Sequence, residues 1–196
     1  HMTRAILIGD SIRIGDQPHV KARLEGRAEV IAPDTNGGDS RKVLENLDPW
    51  VLQPEADLVH LNCGLHDLRL TEDGYQVPLE QYVHNLHEIV DRILAESGKE
   101  LIWATTTPVI DERHQRVKQF ERHEKDVRRY NEGALAVMSS HGVPINDLHE
   151  VARQVGVAHL LRPDGVHFTE EGYRILARAV ASNILAAVGE EGESSD

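Results

Sequence analysis

A three-layer α/β/α sandwich around a parallel sheet is the fold this sequence predicts. Three observations predict it. Short, continuously apolar runs such as "AILI" and "LIWA" alternate along the chain with longer amphipathic ones, the alternation that characterises α/β domains. Runs that are apolar at every position fit strands covered on both faces by helices, as parallel strands are. No internal repeat and no Gly/Ser linker interrupts the 196 residues, a length suited to one domain with its own core.

Taken in order, five strands are expected at Arg4 to Gly9, Ala28 to Ala32, Leu58 to Cys63, Glu100 to Thr105 and Val143 to Asn146. Helices are expected over Ser40 to Leu47, Leu79 to Glu96, His123 to His141 and Thr169 to Val188. In the second of these, Leu79, Tyr82, Val83, Leu86, Ile89, Val90, Ile93 and Leu94 recur at helical spacing and form the face that packs on the sheet. The domain should run from residue 3 to 188. The remainder, 189–196, is an acidic tail without apolar residues and is expected to be flexible.

Composition narrows the functions to consider. With 21 Lys and Arg against 33 Asp and Glu, the formal charge is −12, which disfavours nucleic acid and anionic membranes as partners. No apolar run is long enough to span a bilayer. No secretory hydrophobic region precedes the first strand, so the cytoplasm is the expected compartment. The single cysteine, Cys63, sits in an apolar strand and reads as a core residue. The other histidines, among them His60, His84, His87, His114, His123 and His149, lack zinc spacing, so neither a metal nor another cofactor is expected.

A parallel sheet binds its ligands beyond the carboxyl ends of its strands, so the residues just after each strand matter most. The first strand ends in Gly9, Asp10 and Ser11. This turn lacks the lysine of a phosphate loop and the G-x-G-x-x-G spacing, which sets nucleotide binding aside. The second strand leads to Gly37 and Gly38, followed by Asp39 and Ser40 as candidate helix caps. The third ends in "GLHD", Gly64 to Asp67, and "RPDGVHF" near the C-terminus places Asp164 three residues before His167. A serine becomes a useful nucleophile when an imidazole takes its proton, and the imidazole works best when a carboxylate fixes its tautomer. Ser11, His167 and Asp164 supply those parts. Each alone has an equally common structural use; their shared position at one sheet edge favours catalysis.

"GDS" after the first strand, "GGDS" after the second, "GLHD" after the third and "DGVH" before the last helix together resemble the four blocks of the SGNH (GDSL) hydrolases, from Ile6 to about Leu185. The resemblance implies a flavodoxin-like, single-domain α/β/α sandwich with a parallel five-stranded sheet. It implies Ser11 as nucleophile, His167 as base and Asp164 as its orienting acid. The implied oxyanion donors are the N–H groups of Ser11 and Gly38 and the third-block side chain. In the family that side chain is an asparagine; here His66 stands in its place. An imidazole N–H also donates, but it is longer and titrates. Asp10 and Asp67 are expected to support the two loops, Asp67 by holding the His66 loop.

The resemblance further implies an esterase acting through an acyl-enzyme, with O-acetyl or another short acyl group on a carbohydrate or other small polar molecule as substrate. The alternative is a noncatalytic sugar-binding or regulatory protein that keeps the fold. The span Thr107 to Lys125 is the one long polar insertion near the active edge and is expected to shape the pocket. Arg13, Arg41, Arg69 and Arg162 each lie within about three residues of a block, which points to an anionic group on the substrate.

Overall fold

In the computed structural model of the chain, which describes residues 1–117 and 119–189, five strands form one parallel sheet in the order β2-β1-β3-β6-β7. They are β1 (Thr3–Ile8), β2 (Ala28–Ile31), β3 (Leu58–Leu61), β6 (Glu100–Ala104) and β7 (Ile145–Asn146). The register pairs Ala5 with Val30, Ile6 with Val59, His60 with Ile102 and Trp103 with Ile145. All four residues of β3 are buried, as a strand covered on both faces requires.

Helices α1 (Ser11–Leu24) and α8 (Glu170–Ala187) pack together on one face, with α6 (Leu148–Val155) against α8. Helices α2 (Ser40–Glu45), α3 (Leu79–Glu96) and α5 (Glu124–Ser140) cover the other. Tyr82, Leu86, Ile89, Val90 and Ile93 of α3 are fully buried in a core continuous with the strands, whereas Leu94, expected on the same face, is exposed. The expected ends of α8 are also its caps: the Thr169 side chain accepts from the Gly172 N–H, and Val188 closes the helix.

Several elements differ from expectation. Helix α1 is not among the expected helices, because Gly15 and Pro18 lie inside it. A Cβ at Gly15 would collide with the Tyr173 ring, so the glycine is what lets α1 approach α8 closely. A two-residue hairpin, β4 (Leu70–Thr71) with β5 (Gly74–Tyr75), follows the third block. The insertion after β6 carries α4 (Asp111–Val117), and α6 with α7 (Val157–Leu160) precedes the fourth block. Of the expected acidic tail, 190–196 lies outside the described residues. Among the described residues, no helix is long and apolar enough to cross a membrane.

Candidate active site

The strand order reverses between β1 and β3, which opens a crevice at their carboxyl ends. Ser11 begins α1 directly after β1, and the Asp10 side chain caps that helix by accepting from the Ile12 N–H at 2.9 Å. Across the crevice, Ser11 Oγ lies 2.9 Å from His167 Nε2, and His167 Nδ1 lies 2.6 Å from Asp164 Oδ2. Asp164 Oδ1 accepts the N–H groups of Val166 and His167, both at 2.9 Å, so one carboxylate fixes the loop and the ring together. Partial burial works to raise the Asp164 carboxyl, but these N–H groups and the imidazole outweigh it and hold it below the ordinary value.

The second block is stitched to the first. Gly37 donates its N–H to Gly9 O at 2.9 Å, and a Cβ at Gly37 would crowd that same carbonyl. Gly38 has φ +67°, in the left-handed region that glycine tolerates. Its N–H, expected to face an oxyanion, instead donates to Asn36 Oδ1 at 2.8 Å. Asp39 caps α2 through the Lys42 N–H at 3.0 Å and also accepts from Arg41 and Gln76.

The third block places His66 in a cleft of about 260 Å³ that Asp10, Ser11, Asn36 and His167 also line. Burial lowers the pKa of His66, and the charges of Arg122 and Arg69 add to this against the opposing pull of Asp10 and Asp39. The ring is therefore neutral at neutral pH, with one N–H to donate. The buried Asp67 carboxyl accepts the Ser40 N–H at 2.9 Å, which ties the third block to the start of α2.

Burial pushes the Asp67 carboxyl up to about 7, against the Ser40 hydroxyl and N–H that pull it down. The unfolded chain releases this proton near pH ~3.9, so between about pH 4 and 7 the folded state binds more protons than the unfolded one. Asp67 thus costs stability progressively as pH rises through that window, and the full cost stands above it. Asp67→Asn keeps an acceptor for Ser40 but does not titrate. Melting curves of variant and wild type are expected to diverge in the variant's favour from pH 4 to 7; a constant difference would contradict the raised value.

Of the four arginines expected near the substrate, only Arg69 lines the cleft. Arg13 is turned back into the fold, donating to Thr35 O at 2.7 Å and to the Gln17 side chain at 2.8 Å. Arg41 pairs with Asp39 at 2.9 Å, and Arg162 lies over the Tyr173 ring at 5.8 Å; neither lines the cleft. Sequence reasoning missed Arg122. Paired backbone bonds between Leu70 and Glu121 join the insertion to the third block. They set Phe120 in the cleft with Arg69 3.8 Å and Arg122 4.9 Å from its ring centre. Arg122 is buried, donates from Nε to Leu65 O at 2.6 Å, and is lowered by burial to about 10, still cationic at neutral pH. Neither guanidinium has a carboxylate partner among the described residues.

Cys63 is buried, which raises its thiol well above the usual value, and His60 is a core residue 3.0 Å from Asn146. Among the described residues, no three His, Cys, Asp or Glu side chains gather in a way that could hold a metal ion.

A parallel α/β/α sandwich with a serine, a histidine and an aspartate in series at its carboxyl edge is the architecture of an esterase-type hydrolase. Residues 7–175 match the GDSL-like lipase/acylhydrolase family, and the chain belongs to that family. It is 23% identical over 170 residues to a GDSL esterase/lipase of Oryza sativa subsp. japonica, an alignment covering 79% of this chain and 64% of the rice protein. The chain therefore spans less than two thirds of that relative's length. The crystal structure of a lipase/acylhydrolase from Enterococcus faecalis superposes with a TM-score of 0.81 at 22% identity, covering 99% of this chain and 100% of that one. An acetylxylan esterase from Geobacillus stearothermophilus gives 0.72 at 18% identity, covering 99% and 97%. At these identities the two structures speak for the fold.

Proposed function

We propose that the protein is a serine esterase that removes short acyl groups, O-acetyl above all, from a carbohydrate or another small polar substrate. The observation that carries this reading is the unbroken series from Asp164 through His167 to Ser11, at 2.6 and 2.9 Å. His167 Nε2 takes the Ser11 proton as Oγ attacks the ester carbonyl, and Asp164 stabilises the imidazolium that forms. The same proton passes to the departing alcohol. Water, deprotonated by His167, then releases the acid from the acyl-enzyme. The negative charge on the tetrahedral oxygen is met by the Ser11 N–H at the start of α1 and by the neutral His66 ring. The cleft of about 260 Å³ has room for a small acyl group beside Ser11. The acetylxylan esterase among the structural relatives is consistent with an acetylated sugar.

Arg69 and Arg122 on Phe120 favour a substrate bearing a carboxylate or sulfate near the scissile ester. Steady-state kinetics on p-nitrophenyl acetate and on an acetylated sugar acid test both parts. Wild type is expected to turn over both. Arg69→Ala should raise KM about tenfold or more on the sugar acid and barely change it on the neutral ester, as loss of a charged hydrogen bond does. Arg41→Ala, outside the cleft, should change neither. No turnover of either ester would leave the noncatalytic reading, and equal losses on both would make Arg69 a structural residue.

His66 has its own expected signature. His66→Ala should lower kcat about 10²–10³-fold with a smaller change in KM, the usual loss for one oxyanion donor. His66→Asn, which restores an amide, should retain more activity than alanine. An unchanged kcat in the folded alanine variant removes His66 from the mechanism.

A further inference from the structure

Four backbone N–H groups of the second block already have acceptors. Gly37 donates to Gly9 O, Gly38 to Asn36 Oδ1, Ser40 to Asp67 and Lys42 to Asp39. A side-chain donor without a partner there is the Asn36 Nδ2. It makes no hydrogen bond among the described residues, is not sealed from solvent, and belongs to a side chain that lines the cleft with Ser11 and His66. The orientation of this amide is fixed by chemistry, because the Gly38 N–H is a donor and only the carbonyl end of Asn36 can face it. With Oδ1 held at 2.8 Å by Gly38, the NH₂ end is the one left to donate.

We propose that Asn36 is a catalytic residue whose Nδ2–H donates to the tetrahedral oxyanion. It restores, from the second block, the amide that His66 displaces in the third. This rests on the esterase reading above. The Gly38 N–H then acts through Asn36: by donating to Oδ1 it polarises the amide and strengthens Nδ2–H as a donor, the cooperative effect of hydrogen bonds in series. The surroundings hold the relay still. Arg13 grips the preceding residue through Thr35 O at 2.7 Å, and the Gly37–Gly9 bond pins the following one to the end of β1, two residues before Ser11. Three donors would thus converge on the oxyanion: Ser11 N–H, the His66 ring and the Asn36 amide.

The test is kcat, KM and melting temperature for Asn36→Ala and Asn36→Asp on p-nitrophenyl acetate, with Ser11→Ala defining the Ser11-dependent rate. Asn36→Ala should lower kcat about 10²-fold with little change in KM. Asn36→Asp is the sharper variant. Its carboxylate still accepts from Gly38 and keeps the turn and the melting temperature, but it has no N–H and opposes the developing charge. Its kcat should fall at least as far as that of alanine. Rescue of activity by aspartate would reduce Asn36 to a turn-former and overturn the proposal. An unchanged or raised kcat in Asn36→Ala would overturn it too, because Gly38 would then be the direct donor and Asn36 a mask over it. Absence of any Ser11-dependent turnover in wild type would overturn the esterase reading and this proposal together, whereas the two preceding outcomes leave that reading standing.

Discussion

Ser11→Ala is expected to lower kcat by about 10⁶ on any ester the protein cleaves, the scale on which loss of the nucleophile acts when the triad works as a unit. The fold should not notice. Ser11 is partly exposed, and α1 is capped by Asp10 through Ile12, so its start does not depend on the serine hydroxyl. His167→Ala should cost about as much. The fourth-block loop survives in that variant, because Arg162 donates its N–H to the backbone carbonyl of residue 167 at 2.8 Å and Asp164 still accepts from two backbone N–H groups. The double variant should be little worse than either single one, since each alone stops the proton transfer. Circular dichroism and melting curves matching wild type, alongside lost turnover, are the expected pair of readings. A Ser11→Ala protein with wild-type turnover would remove Ser11 from the chemistry.

Asp164→Asn is expected to lower kcat by about 10⁴ through the tautomer of His167. An asparagine carbonyl can keep the Val166 and His167 N–H bonds, so the loop should hold. Its NH₂, placed where Oδ2 now receives the Nδ1 proton, instead donates to Nδ1 and drives the ring proton to Nε2. A protonated Nε2 cannot accept from Ser11. Asp164→Ala removes the loop acceptor as well, and should lower the melting temperature where asparagine does not. Equal losses of stability and activity in both variants would make Asp164 a structural residue.

The contrast between what the sequence made legible and what it hid follows from range. β1, β3 and β6 announce themselves because burial on both faces leaves no room for polar alternation, and α3 because its stripe recurs every three or four residues. Helix α1 is hidden by Gly15 and Pro18, and the reason for Gly15 lies in Tyr173, far along the chain. The β4–β5 pair is too short for any period to show. In the site, Ser11, His66, Asp164 and His167 were legible because each sits in a short motif: Ser11 opens α1, His66 lies in the turn after β3, and Asp164 and His167 lie in the loop before α8. Nearness along the chain misjudged three of the four arginines: it counts residues and says nothing of direction, and Arg13 turns back toward Gly9 and Thr35. Arg122 had no local signal, because only the Leu70–Glu121 pairing brings it to the cleft. Asn36 did have one, an asparagine before two glycines, the composition of a side-chain-closed turn.

The central claim is that Ser11 is a nucleophile made reactive by His167. Reaction with a fluorophosphonate, read by intact mass and peptide mapping, tests it most directly. One adduct per chain on Ser11 is predicted, forming in step with loss of p-nitrophenyl acetate turnover and failing to form in His167→Ala. Turnover that persists while Ser11 is fully labelled, or labelling confined to another residue as turnover is lost, would contradict it.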